Sequence, residues 1–387
     1  MRTGHNRTDR RKTGLRTEKD RSSRARRLIL IVSLIVFAAA LCVSLCERTG
    51  TPELISPAYV LHNLGLRIRL IIAGLFHLPL YAERKSLIAD SPYYLETIAR
   101  VRILVVTAIC GAAMAICGSM FQMVFRNPIA APMMLGVSSG VDLGLLILVL
   151  VYSVDAFAKT TQRYLVCYGL ALAVLAVVVL LGNLMGGNRK SSADLLLAGS
   201  VVSQIISVVY TYLQFNMEEV DLQTLQMMSM YGFMVNTSYD FAGRSILILL
   251  AISAATLLPV FLMRFSFDVL SLPDEEARLL GVRPLIMRVI AILSSTVLMT
   301  AVILYCGAVG VLSLAVPHLC RYLFGPRFKN MLAGCALYGA GLLILCRSIC
   351  SMIYIPNMGT LPIGPLAGVL SAPFLAAAIV QRRRGWD

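Results

Sequence analysis

Few side chains in this sequence could do chemistry, and those few stand in apolar surroundings. Asp142 and Arg347 each interrupt a long hydrophobic run. An ion buried in lipid without a partner is costly, so each must face protein, water or an opposite charge. Several readings stay open for Arg347: a structural pair with Asp142, a water-lined pathway position that accommodates an anion or a partner, contact with backbone carbonyls, or a shifted helix boundary. His318 follows Pro317 near the end of another apolar run. A lone imidazole in that setting more often completes a structural hydrogen bond than carries protons.

Ten cysteines are present, nearly all inside apolar runs, where thiols act as small packers. Cys346 and Cys350 lie four apart on a helical face, as do Cys42 and Cys46, but no Cys-x-x-Cys occurs and the four histidines do not cluster with them. We therefore expect no metal site. No paired catalytic carboxylates and no nucleophile with a nearby base can be assembled, so we expect no catalytic residue and no enzyme. The run Gly186 to Ser191 lacks the spacing of a phosphate loop and follows an apolar helix instead of a strand, so no nucleotide site is expected either.

The elements that carry these residues are membrane spans. The chain is 58% hydrophobic and 14% charged over 387 residues, too apolar for a soluble domain to cover. Apolar stretches of roughly bilayer length run over Leu28 to Cys46, Val101 to Val124, Met133 to Ser153, Tyr164 to Met185 and Leu195 to Leu213. Five more cover Ser245 to Met263, Leu285 to Cys306, Ala308 to Leu323, Met331 to Ile353 and Leu361 to Val380. The expected fold is an all-α polytopic bundle of about ten transmembrane helices, occupying 28–387.

Residues 1–27 form a basic tail with nine Arg and two Lys against three acids. A nucleic-acid arm is one reading of such a run. Abutting an apolar span, it reads instead as a disordered, topology-fixing segment that touches anionic membrane lipid, with no nucleic-acid partner. Its length, and the lack of a small-x-small site after the apolar run, argue against a cleaved signal. Lys and Arg between spans, among them Arg126, Arg264, Arg278, Arg283, Arg288, Arg321, Arg327 and Lys329, fall on the tail's side, whereas Gln214 to Gly243 has acids and no Lys or Arg. The positive-inside rule then puts both termini in the cytoplasm.

Four blocks have distinctive spacing. Between Arg100 and Gly140, a helix carrying Gly111, Gly118 and Gln122 ends in the turn Arg126-Asn127-Pro128, and Leu135-Gly136 follows. Small residues let spans approach closely, and Asn-Pro forces a turn. Between Ser266 and Pro284, Leu272-Pro273 opens a short helix whose first turn holds Asp274, Glu275 and Glu276, where the helix dipole favours anions; Ala277 and Leu279 follow, and Gly281 supplies the stop. The third block has Gly307, Gly310, Pro317, His318 and Arg321. The fourth has Pro362, Gly364, Gly368 and Pro373, with Gly364 and Gly368 spaced as a G-x-x-x-G packing face.

Together these blocks resemble the FecCD-type permeases, which import iron-siderophore, haem and cobalamin compounds for bacterial ATP-binding cassette transporters. The resemblance covers roughly Ile98 to Arg384 and departs from the family's usual residues at Ser229, Phe233, Pro273, Ala308, Val311, Ser313, Arg347, Ser351 and Thr360. It implies a multi-pass permease of the bacterial cell membrane that works with a second permease copy or a paralogue, two cytoplasmic ATPase subunits and an extracytoplasmic substrate-binding protein. It also implies that Leu272 to Val282 adjoins the contact with the ATPase, that ATP and Mg bind on that partner, and that no cofactor binds this chain. Outer basic residues (Arg48, Arg67, Arg69, Arg84, Lys85, Arg100, Arg163) are candidates for docking the binding protein. The residues alone leave a second class open: a secondary transporter or channel that needs no ATPase, with Asp142 and Arg347 as its ion pathway.

Overall fold

The computed structural model describes residues 27–46, 55–75, 84–89, 91–157, 159–185, 192–232, 242–355 and 359–382. The tail short of Arg27, the run 186–191, Arg48 and Phe233 lie outside them. The helices are α1 (Arg27–Cys46), α2 (Pro57–Leu75), α3 (Arg84–Ala89), α4 (Tyr94–Val124), α5 (Val137–Tyr152), α6 (Thr160–Met185), α7 (Ser192–Phe215), α8 (Glu219–Tyr231), α9 (Ala242–Leu262), α10 (Arg264–Val269), α11 (Asp274–Leu279), α12 (Pro284–Cys306), α13 (Leu312–Phe324), α14 (Phe328–Met352) and α15 (Ile363–Arg382). Short 3-10 turns cover Pro132–Leu135 and Ser153–Phe157. A two-stranded hairpin, β1 (Tyr354–Ile355) and β2 (Gly359–Thr360), is antiparallel with Tyr354 opposite Thr360.

Among the described residues, seven helices are long and apolar enough to cross a membrane: α1, α4, α5 with its 3-10 extension, α6, α7, α12 and α14. The described apolar parts of α9 and α15 are shorter. One expected span needs correcting. Ala308 to Leu323 is not a continuous helix; α13 has 13 residues, rising about 20 Å against the roughly 30 Å of a bilayer core. The cause is local. Gly307 adopts φ +75°, which only glycine takes cheaply, and the chain from 307 to 311 is spent on a turn packed against the end of α8. The sequence reads Gln214 to Gly243 as a loop between spans, yet α8 within it folds back into the bundle and buries Leu225 and Met228.

Helix α4 is the axis of the bundle, packed on α12, α13 and α14. Its small residues explain how. A Cβ placed on Gly111 would lie 2.3 Å from the Gly339 carbonyl oxygen, and one on Gly339 would lie 2.2 Å from that of Gly111. The backbones of α4 and α14 therefore touch, which maximises dispersion contact where lipid supplies no hydrophobic drive. Helix α1 joins this pair through Ser33 Oγ and Tyr338 Oη at 2.7 Å, and through Ser348 Oγ, which donates to Ala40 O at 2.9 Å.

Candidate functional site: a clamped turn at one end and a polar junction within the bundle

The turn after α4 builds one end of the molecule. Arg126 sits in the left-handed region at φ +47°, an unusual conformation for a long side chain, and the Asn127 side chain closes the turn by accepting from Ile129 N at 3.1 Å. That conformation aims Arg126 across the surface. Its Nε donates to Leu270 O at 2.9 Å and its Nη2 to Asp274 Oδ1 at 2.5 Å. Arg288, in the second turn of α12, donates to the same oxygen at 2.9 Å. One carboxylate thus ties α11 to both α4 and α12. Charge-assisted bonds of this kind are the stronger class, moderated here because all three side chains are about one-third exposed or slightly less.

Helix α11 is pinned on one side and open on the other. Ala277 is fully buried, while Glu275, Glu276 and Leu280 are exposed and Leu279 is 88% exposed. Pro273 precedes its first turn and Leu272 is half-buried. Gly281, at φ +80°, ends it: its N–H donates to Arg278 O at 2.9 Å and that of Val282 to Ala277 O at 3.0 Å. Below it, α10 carries Phe267, stacked at 5.0 Å on Phe328 of α14, and Asp268, whose carboxylate accepts from Phe328 N at the start of α14. The short helices form one platform fixed to three spans.

His318, Gln122 and Arg321 complete this end. His318 Nε2 lies 2.9 Å from Pro128 O and so donates to it. Gln122 Nε2 reaches Leu314 O, and Arg321 Nη2 reaches Gln122 Oε1, each at 3.4 Å. Pro317 lies within α13. Gly118 marks a close approach to the backbone of Ser313, while Gly136 and Gly310 leave room for the side chains of Val174 with Ser203 and of Met133 respectively.

A second polar group lies within the bundle. Asp142 accepts from Ser229 Oγ at 3.1 Å, while Ser229 O accepts from Ala308 N at 3.2 Å. Asp142 therefore joins α5 to α8 through the Ser229 hydroxyl, and the Ser229 carbonyl joins α8 to the Gly307 turn. This corrects the structural pair offered for Arg347, because the partner the structure gives Asp142 is the Ser229 hydroxyl. Tyr231 Oη donates to Thr360 O at 2.6 Å, linking α8 to the hairpin. Beyond the hairpin, Pro362 O lies 3.6 Å from Cys350 Sγ and Gly364 packs on Ala308 O. Gly368 has nothing within 4 Å, so only half of the expected G-x-x-x-G face packs within this chain; Pro373 is exposed.

Two candidate docking cations are also corrected. Arg100 and Arg163 are 5% and 2% exposed, and a buried guanidinium cannot meet a second protein. Sequence reasoning missed Asp268 and the clamping role of Arg288. An acid placed to satisfy the free N–H groups at a distant helix start leaves no local pattern.

The comparisons agree on the architecture. The FecCD transport family matches residues 67–381. The hemin transport system permease protein HmuU of Yersinia pestis is 27% identical over 299 residues, covering 76% of this chain and 85% of that one. The vitamin B12 import system permease protein BtuC of Escherichia coli is 29% identical over 277 residues, covering 71% and 80%. A solved metal-chelate type ABC transporter in an inward-facing conformation superposes with a TM-score of 0.66 at 20% identity, covering 92% of this chain and 99% of that one.

Proposed function

From the premise that this chain belongs to the FecCD transport family, and so is a multi-pass transmembrane permease of the ATP-binding cassette type, we propose that it imports a metal chelate by passing the motion of separate ATPase subunits through α11. The cargo class, a haem, another iron complex or a cobalamin, follows what its relatives are named for. The working assembly is this chain with a second copy or a paralogue, two cytoplasmic ATPases that bind ATP and Mg, and an extracytoplasmic binding protein. The Arg126 end faces the cytoplasm of a bacterial cell, with both termini on that side, because Arg126, Arg264, Arg278, Arg283, Arg288, Arg321, Arg327 and Lys329 gather there while Glu218, Glu219 and Asp221 lie around α8 at the other end.

The observation that carries this reading is the shared Asp274 carboxylate. A load on the exposed Leu279 and Leu280 face reaches α4 through Arg126 and α12 through Arg288, the two helices most deeply set in the bundle. Displacement at the surface is thereby transmitted to the Gly307 turn at the far end of α12. The test replaces Asp274 to Leu279 with a Gly/Ser linker in the reconstituted complex. Membrane insertion should persist while ATP hydrolysis loses its stimulation by loaded binding protein. Unchanged stimulation would remove α11 from the mechanism, and transport by the permease alone in liposomes would establish the ATPase-free alternative.

A further inference from the structure

Helix α2 has two apolar faces, and the protein covers one of them. Val60, Leu66, Leu70 and Ala73 are buried, with Leu66 and Leu70 against Tyr94 and Ile98 of α4. Asn63, fully buried, fixes the register by donating to Pro92 O at 2.8 Å and Thr97 Oγ1 at 3.3 Å. On the far side Leu61 is 70% exposed and Ile68 58%, with Ile71 and Ile72 about half exposed. At about 100° per residue, Leu61, Ile68 and Ile72 fall within about 40° of one another, forming a continuous stripe.

Where α2 sits says what covers that stripe. Ile55, two residues before α2, donates from its N–H to the carbonyl of Cys46, the last residue of α1. The other anchors are in the first turns of α4, whose 31 residues rise about 46 Å and so outrun a hydrocarbon core of about 30 Å. Thus α2 lies where two spans leave the hydrocarbon, level with the lipid headgroups. Its charges fit that layer: Arg69 and His62 flank one edge of the stripe, Arg67 the other, and no acid occurs between Pro57 and Leu75. A helix with an apolar face edged by cations and lacking anions is the pattern of one lying in the plane of a membrane surface.

We propose that α2 is an interfacial helix, with Leu61, Ile68, Ile71 and Ile72 immersed at the acyl boundary and Arg67 and Arg69 held by anionic headgroups. It braces the exit of α1 and the start of α4 against the bilayer, and it takes those two arginines out of the set available to a binding protein. This goes beyond the coupling reading and does not depend on it.

The sequence has one tryptophan, so Trp386→Phe gives a silent background for fluorescence. Ile68→Trp and, as a second position should one variant fold poorly, Ile72→Trp are reconstituted as the full-length permease in phosphatidylcholine/phosphatidylglycerol vesicles, with Glu275→Trp on α11 as the aqueous reference. Lipids brominated near the headgroup end of their acyl chains should quench both α2 reporters by at least about twofold, leave the reference nearly unchanged, and show the reverse order with aqueous acrylamide. Quenching of the α2 reporters by acrylamide and not by brominated lipid would overturn the proposal. Shielding from both quenchers would place protein on this face and overturn it too, as would shielding that appears only when a binding protein is added.

Discussion

Gly118→Ala tests whether the crossing of α4 over α13 is as tight as the structure draws it. A Cβ at this position would lie 1.7 Å from the Ser313 carbonyl oxygen, half the 3.4 Å at which ordinary contact begins, and 2.6 Å from the carbonyl carbon. Both atoms are backbone, so no rotamer change relieves the clash and α13 must move bodily away. That movement opens the 3.4 Å contacts of Gln122 with Leu314 and Arg321 and pulls His318 from Pro128. Overpacking typically costs about 1–3 kcal/mol or more, and the better helix propensity of alanine returns only about 1 kcal/mol. With the clash at the upper end of its range, the net loss is about 2 kcal/mol, which lowers the melting temperature by several degrees. Gly169→Ala on α6 is the matched control, because nothing lies within 4 Å of its Cβ position; propensity alone acts there, and stability should hold or rise slightly. The assay is thermal unfolding of the purified permease in detergent, followed by stimulated ATP hydrolysis of the complex. If Gly118→Ala melts with the wild type and the control, the close crossing is wrong.

Other outcomes follow from the same geometry. Asp274→Asn should shift stability by less than about 1 kcal/mol, its carboxylate being one-third exposed, yet lower ATPase stimulation several-fold; equal stimulation would refute the clamp. Leu279→Asp should leave the melting temperature unchanged, since the side chain is 88% exposed, but weaken copurification of the ATPase about tenfold, near 1.4 kcal/mol. Asp142→Ala and Ser229→Ala should be non-additive in thermal stability because the two residues share a hydrogen bond, whereas Asp142→Ala and Arg347→Ala should add; the opposite pattern would restore the Asp142–Arg347 pair.

The membrane class and most of the spans were legible because hydropathy is a property of contiguous residues and needs no partner. Local grammar gave α11 as well: Pro273 before the first turn, three acids within it and Gly281 after it are signals read over eight or nine positions. The same reading failed at Ala308 to Leu323, where composition suits a span but Gly307 breaks the helix to meet α8. It also left α2 without a helix: Arg67 and Arg69 kept the segment out of the apolar runs, and the 19-residue helix it forms went unread.

What the amino-acid order determined here is what neighbours along the chain decide together: which stretches enter lipid, which face the charges mark, and where a turn or a capped helix must stand. Tertiary structure alone decided which partners the polar groups take. Arg126 and Arg288 are 162 residues apart in sequence and meet on Asp274, Asp142 is matched by Ser229 and not by Arg347, and Gly111 meets Gly339. Those pairings depend on how the spans cross, and a crossing is set by the summed fit of many side chains from distant segments, each contact worth about 0.1–0.2 kcal/mol, so no short stretch of sequence carries it.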